Sequence, residues 1–349
     1  MSTRYRHIEV SGPPRELGRQ IGEAARDEIR GFAAIALERV NKTVPVSRER
    51  AMDISRQSMD CAAAYAPDML DELRGMSEGA GVSLEEMMLL QVRNQLCPEE
   101  DAACTGFAIA PQRSAEGRAI AAQNWDNDPA LDPFTIVLTR RPAGKPALMN
   151  VTQAGLIAYI GCNDAGMGVC MNTLPAPSRP VGVPHYFAVR AIYEQTSLSD
   201  AVAAVRRADR AIPGNVLLAT PQGPADLELT LGHVHVLRDD EFVVHTNHCL
   251  HPELVPINRE FPELIESGPR HRRIEQLLGP EPLVSMAQMQ EALRDHDRHP
   301  YSICRHTNDH PQTGFWASVF SVVIEADQGR MHISRGNPCA APYETYSLN

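Results

Sequence analysis

Two rhythms of apolar residues divide this chain near residue 100. Before that point apolar positions recur at helical spacing. Leu17, Ile21, Ala25, Phe32 and Ile35 follow Pro13-Pro14, with Arg and Glu on the opposite face, and predict a helix after a short strand around His7–Ser11. Further helices are expected over Arg50–Ala64 and Asp68–Gly79, and Ser83-x-x-Glu86 is a capping box opening a fourth helix through Arg93. Beyond residue 100 strand-like runs dominate. Strands are expected over Thr105–Ala110, Arg118–Trp125, Phe134–Arg140, Ala147–Val151, Leu156–Ile160 and Gly168–Asn172, separated by turn residues at Pro111, Gly117, Asp128-Pro129 and Gly144. Helices return at Pro184–Glu194 and Leu198–Ala208. Strands then fit Val216–Thr220, Asp226–Leu231, Val234–Arg238 and Phe242–Thr246, followed by helices over Pro269–Leu278 and Ser285–Arg294. Two last strands, Phe315–Glu325 and Met331–Arg335, flank a turn at Asp327-Gln-Gly329.

Strands in runs, flanked by helix pairs, predict an α+β fold of antiparallel sheets covered by helices. A doubly wound parallel sheet would alternate strand and helix singly. No repeat, low-complexity tract or linker interrupts the chain, so one domain over 1–349 is expected. The segment Leu174–Pro184, with four prolines, reads as a rigid surface loop and pocket rim.

Composition narrows the function classes. The 349 residues are 43% hydrophobic and 22% charged, a globular balance. Only 5% are aromatic, so the core should be aliphatic and rich in alanine. A net charge of −11 argues against a nucleic-acid partner, which would need clustered Lys and Arg. None of the eight cysteines forms a C-x-x-C pair, and no Cys/His group has zinc-finger spacing. The expectation is therefore free thiols, no metal and no disulfide framework. Gly161 and Gly166-Met-Gly168 lack the helix-opening context of a nucleotide loop, and no G-x-S-x-G elbow occurs, so no cofactor is expected. The first residues lack an apolar core after their basic positions, and no stretch is long and apolar enough to cross a bilayer. A cytoplasmic location without a membrane partner is the expectation.

Chemistry concentrates at a few segments. Cys104 stands where the helical half gives way to a strand, Cys104-Thr-Gly-Phe-Ala-Ile-Ala110. If the bond before it were cut, thiol and α-amine would lie on one residue, a nucleophile beside its own base. Taken alone, a cysteine there is more often a small buried hydrophobe. Its company is Gln123-Asn-Trp-Asp126, where Asp126 can orient a thiol or simply cap a turn. His245 and His248 fall on opposite faces of a strand and suit no single ion. Asn247 between them offers an amide N–H for an oxyanion, or is a turn residue. Arg305, in Tyr301-Ser-Ile-Cys-Arg-His306, can anchor a carboxylate, from substrate or from Asp126, or face solvent.

Five segments in order resemble the acyl-coenzyme A:6-aminopenicillanic acid acyltransferase family of N-terminal-nucleophile enzymes, a group that includes β-alanyl-dopamine hydrolases. They are Val10-Ser-Gly-Pro-Pro-Arg-Glu-Leu-Gly18, Cys104-Thr105, Gln123-Asn-Trp-Asp126, Val244-His-Thr-Asn-His-Cys-Leu250 and Ser302-Ile-Cys-Arg305. The resemblance implies a four-layer αββα sandwich. It implies scission between Ala103 and Cys104, giving an α-chain of 1–103 and a β-chain of 104–349 held as a heterodimer. It implies Cys104 as nucleophile, its α-amine as base, Asn247 at the oxyanion, and Asp126 and Arg305 as support. The substrate would be an N-acyl amine, N-acyl amino acid or acyl thioester. Substrate contacts are expected from Thr105, His185, Tyr186 and Phe187. In one respect the chain departs from the pattern: alanine precedes the cysteine where glycine, more tolerant of a strained peptide, stands in the familiar relative. Two other readings stay open: a Cys104–His thiol hydrolase that needs no scission, with His245, His248 or His306 as base, and an unprocessed homologue without catalysis.

Overall fold

The computed structural model describes residues 3–96, 103–261, 266–311 and 313–349. Fourteen strands and nine helices form among them. The helical half runs α1 (Pro14–Ala24), α2 (Arg26–Val40), α3 (Arg48–Tyr65), α4 (Pro67–Ala80) and α5 (Leu84–Leu96), after strand β1 (His7–Gly12). The capping box forms: Ser83 Oγ accepts from the Glu86 N–H, and Glu86 reaches back to the Ser83 N–H. The single helix expected from Pro14 to Ile35 is two, broken at Ala25 (φ −108°, ψ 30°). The break frees the first half to pack tightly on α4. A side chain at Gly18 would lie 1.9 Å from the Glu72 carbonyl, and one at Gly75 would lie 2.1 Å from that of Arg15. Only glycine permits that approach.

Strands follow as β2 (Cys104–Ile109), β3 (Ile120–Asn127), β4 (Thr135–Pro142), β5 (Leu148–Gln153), β6 (Ile160–Asn163) and β7 (Gly168–Asn172), then helices α6 (His185–Tyr193) and α7 (Leu198–Arg206). Next come β8 (Gly214–Ala219), β9 (Ala225–Leu229), β10 (Val234–Arg238) and β11 (Phe242–His245), helices α8 (Ser267–Leu278) and α9 (Met286–Leu293), and strands β12 (Ala317–Glu325), β13 (Arg330–Arg335) and β14 (Tyr343–Ser347). The expected strand over Leu156–Ile160 forms only at its last residue. Upstream, side chains replace the ladder: the Leu156 carbonyl accepts from Arg140, that of Ile157 from Arg190, and the Ile157 N–H donates to Gln91. β14 is an addition, pairing with β13.

Two sheets result. One has order β1-β4-β5-β6-β7-β8-β9-β10, the other β11-β2-β3-β12-β13-β14. All pairs are antiparallel except β1 with β4. β2 and β3 lie over β7 and β8. A Cβ at Gly106 would stand 3.0 Å from Leu217 of the facing sheet, so the sheets meet closely beside Cys104. Helices α1 and α2 cover the outer face of the larger sheet, while α8 and α9 cover the smaller. The layering is helix, sheet, sheet, helix, as the resemblance implied.

Strand alternation divides the two faces of β2 and β3. Cys104, Ala108, Ala121 and Trp125 join the core between the sheets. Phe107, Ile109, Ile120 and Ala122 pack against Ile274 of α8 and Met289 of α9.

Candidate active site

Cys104 opens β2 and pairs with Trp125 of β3, so its side chain faces the space between the sheets. There it lines a cleft with Trp125, Tyr159, Asn172, Thr173 and His185, and the proline-rich segment contributes Leu174 to the rim. Its free space is about 30 Å³, room for about two ordered waters.

The peptide before Cys104 is held on both sides. The Ala103 carbonyl accepts the Asp126 N–H at 3.0 Å. The Cys104 N–H donates to Asn247 Oδ1 at 2.9 Å. Asn247 Oδ1 also accepts from Arg270 Nη2 at 2.8 Å. Two donors converge on that atom, so it must be the amide oxygen. The amide nitrogen lies on the other side, bonded to the Thr173 carbonyl (3.1 Å) and Thr173 Oγ1 (2.9 Å). The expected oxyanion donor is thus turned toward Thr173 in the uncut chain, and what faces the nucleophile is its oxygen, gripping the cysteine nitrogen.

Asp126 has the opposite parity to Trp125, so its side chain turns to the other face of β3, away from the cleft. Its Oδ1 accepts from Ser318 Oγ at 2.6 Å. The same hydroxyl accepts the Arg305 N–H at 3.0 Å. Arg305 lies near the carboxylate but closes no ion pair with it: its Nη2 donates to the Thr313 carbonyl, while among the described residues Nε, Nη1 and Asp126 Oδ2 have no hydrogen-bond partner. Burial pushes the Asp126 carboxyl up to about 7, and Ser318, Arg270 and Arg305 oppose the rise. Burial, reinforced by Asp126, likewise pushes the Cys104 thiol up to about 12. In the intact chain that thiol is protonated at neutral pH.

Of the expected substrate contacts, His185 lines the cleft, with its imidazole pushed down to about 4 by burial. The other three lie elsewhere. Thr105 is one residue out of phase with Cys104, and its Oγ1 accepts from Arg270 Nη1 at 2.8 Å. Tyr186 and Phe187 are fully buried on α6, with Tyr186 stacked edge-on against Tyr159. The histidines considered as bases are engaged elsewhere: His245 with Glu228, His248 with Ser267, and His306 with His296.

Arg270 was not singled out in the sequence, yet it joins three site groups. Its Nη1 donates to the Cys104 carbonyl at 2.5 Å as well as to Thr105, and its Nη2 reaches Asn247. A signal existed. On α8 Arg270 falls in register with Ile274 and Leu278, so an arginine occupies the buried stripe of an amphipathic helix. Ser318 carried none.

The comparisons agree with the resemblance. The model of the family described as acyl-coenzyme A:6-aminopenicillanic acid acyl-transferase matches residues 113–340, which include Asp126, Asn247 and Arg305. The chain is 27% identical to the acyl-coenzyme A:6-aminopenicillanic-acid-acyltransferase 40 kDa form of Emericella nidulans, over 98% of this chain and 95% of the relative. Among solved structures it is similar to penicillin V acylase from Agrobacterium tumefaciens (TM-score 0.45, 12% identity, 66% of this chain and 83% of that one). It is also similar to a variant of conjugated bile acid hydrolase from Clostridium perfringens (TM-score 0.43, 10% identity, 70% and 97%).

Proposed function

Because the chain belongs to the acyl-coenzyme A:6-aminopenicillanic acid acyl-transferase family, we propose that it is a self-processing cysteine acyltransferase or amidohydrolase with Cys104 as nucleophile. The observation that carries this reading is the two-sided grip on the Ala103–Cys104 peptide, with the carbonyl on the Asp126 N–H and the nitrogen on Asn247 Oδ1. A donor at the carbonyl stabilises the oxyanion that forms when a thiol attacks it. An acceptor at the nitrogen holds the amine that leaves.

The first step is an N-to-S acyl shift. Cys104 Sγ bonds to the Ala103 carbonyl carbon, the C–N bond breaks, and the thiol proton passes to the departing nitrogen. Water then hydrolyses the thioester and releases residues 1–103 with a terminal carboxylate. The mature Cys104 carries thiol and α-amine together. An amine with an ordinary pKa of about 7.7–8.0 serves as base near neutral pH, where the buried thiol alone would stay protonated. Asn247 Oδ1 takes one amine N–H and leaves the lone pair for the thiol. The thiolate attacks an amide or thioester carbonyl, and the acyl-enzyme passes to water or to an acceptor amine.

The test is intact mass measurement of freshly purified protein, followed by turnover of N-acyl amino acids, N-acyl amines and acyl thioesters, with and without acceptor amine. Two polypeptides are expected, one ending at Ala103 and one beginning at Cys104, with activity lost when the new amine is blocked. Cys104→Ala should stay whole and inert. An active enzyme that remains a single uncut chain overturns the reading.

A further inference from the structure

The sequence spacing of cysteine and histidine led to the expectation of no metal. The folded chain nevertheless brings four such residues together. His296 follows α9, Cys304 and His306 bracket Arg305, and Cys339 lies between β13 and β14, yet their ligand atoms all fall within 4.8 Å of one another. We propose that His296, Cys304, His306 and Cys339 form a tetrahedral Cys₂His₂ zinc site that staples these three segments together.

The distances fit an ion. Zn–N bonds of about 2.0–2.1 Å and Zn–S bonds of about 2.3 Å in a tetrahedron place two nitrogens about 3.3 Å apart and a nitrogen and sulfur about 3.6 Å apart. Here His296 Nε2 and His306 Nε2 are 3.0 Å apart. His306 Nε2 is 3.7 Å from Cys304 Sγ and 3.5 Å from Cys339 Sγ. Hydrogen bonding alone explains this poorly. One imidazole nitrogen offers either one proton or one lone pair, yet three polar atoms converge on it. A cation at their centre satisfies all four.

Two other groups lack this geometry. In the group of Asp226, Glu228 and His245, the His245 ring meets Glu228 at 3.0 Å but stays 4.0 Å from Asp226, and Glu228 is already taken by the Leu250 and His251 N–H groups. In the group of His235, His251 and Glu253, the closest His235–Glu253 approach is 4.0 Å.

The donor set selects the metal. Two thiols and two imidazoles in a tetrahedron favour zinc over magnesium or calcium, which prefer oxygen. Both thiols lose their protons to solvent on binding. Cys304 is buried, but His296 and Cys339 are exposed, so an ion can enter from solvent. Four protein ligands close the shell, which marks the site as structural. Its reach is nevertheless toward Cys104. Residues 304 and 306 flank Arg305, and Asn337, two positions from Cys339, donates to the Arg305 carbonyl at 2.6 Å. Metal would thereby fix the backbone that carries Arg305 beside Asp126.

The experiment uses full-length protein in reducing buffer, stripped with chelator and titrated with zinc or cobalt(II). One equivalent per chain is expected, with the thiolate-to-cobalt absorption of a two-sulfur tetrahedral site. Cys339→Ser should lose about half of that absorption, and the His296→Ala/Cys339→Ser pair should abolish stoichiometric binding. Both altered side chains are exposed, and circular dichroism checks the fold. In wild-type protein, zinc should shield Cys304 and Cys339 from alkylation, a readout that needs no variant. Substoichiometric binding, unchanged binding by the double variant, unshielded thiols, or a Cys304–Cys339 disulfide persisting in reductant each overturns the site.

Discussion

The structure buries two clusters of one carboxylate and two arginines, and they are built in opposite ways. In the helical half Glu72 is saturated. Arg140 Nε meets Oε1 at 2.7 Å and Arg190 Nη1 meets Oε2 at 3.0 Å, while both arginines also donate to backbone carbonyls. Near Cys104, Asp126 has one direct side-chain bond, from Ser318. Arg270 and Arg305 act on it only through space, and among the described residues its second oxygen and two Arg305 nitrogens have no hydrogen-bond partner. A closed cluster locks elements together. An open one keeps a buried charge on the margin of ionisation, an arrangement that functional sites favour. Counting charges would not separate the two; counting the bonds on each carboxylate does.

The largest effect that tests this contrast is on stability. Glu72→Ala should lower the free energy of unfolding by about 3–5 kcal/mol, because two buried cations lose their partner, while turnover per folded molecule persists. Urea titration with activity normalised to folded protein checks it; a loss under 1 kcal/mol would mean the cluster is not the lock described. Asp126→Asn should do the reverse. Processing and turnover should fall by about 10²–10³-fold, the scale of one lost electrostatic contact in a preorganised site, with the fold kept. Unimpaired processing of that variant would remove Asp126 from the mechanism.

A pH comparison sharpens the contrast further. Asp126 titrates at about 7 when folded, against about 3.9 in an unfolded chain. Between those values the folded state holds the extra proton, so unfolding free energy falls as pH rises, and the penalty is complete above about 7. Asp126→Asn removes that penalty. Relative to wild type, its urea midpoint should be higher at pH 8 than at pH 5; equal differences at the two values would contradict a buried, unpaired carboxylate. The smallest effect belongs to Ser318→Ala. It deletes the one hydrogen bond that favours the ionised carboxylate, at a cost of about 1–2 kcal/mol. The pH window of the Asp126 effect should move upward by roughly one unit, as followed by the same titrations.

Much of the architecture follows from local periodicity. A period of 3.6 before residue 100 and of two after it depends on residues within one turn or one strand, and both survive in α1–α5 and β2–β13. Parity alone separates Cys104 from Thr105 and Trp125 from Asp126, and the register of Arg270 on its helix was equally open to reading. What no local pattern carried is which distant groups meet. Arg270 reaches the Cys104 carbonyl across 166 residues, and Ser318 reaches Asp126 across 192. Cys339 joins His306 although neither lies in a recognisable metal spacing. Such meetings depend on strand order and sheet stacking, which bring together positions that sequence distance keeps apart. The stretch after Gly155 shows the same limit: its apolar residues predicted a strand, but the backbone there is claimed by Arg140, Arg190 and Gln91, whose arrival only the assembled layers decide.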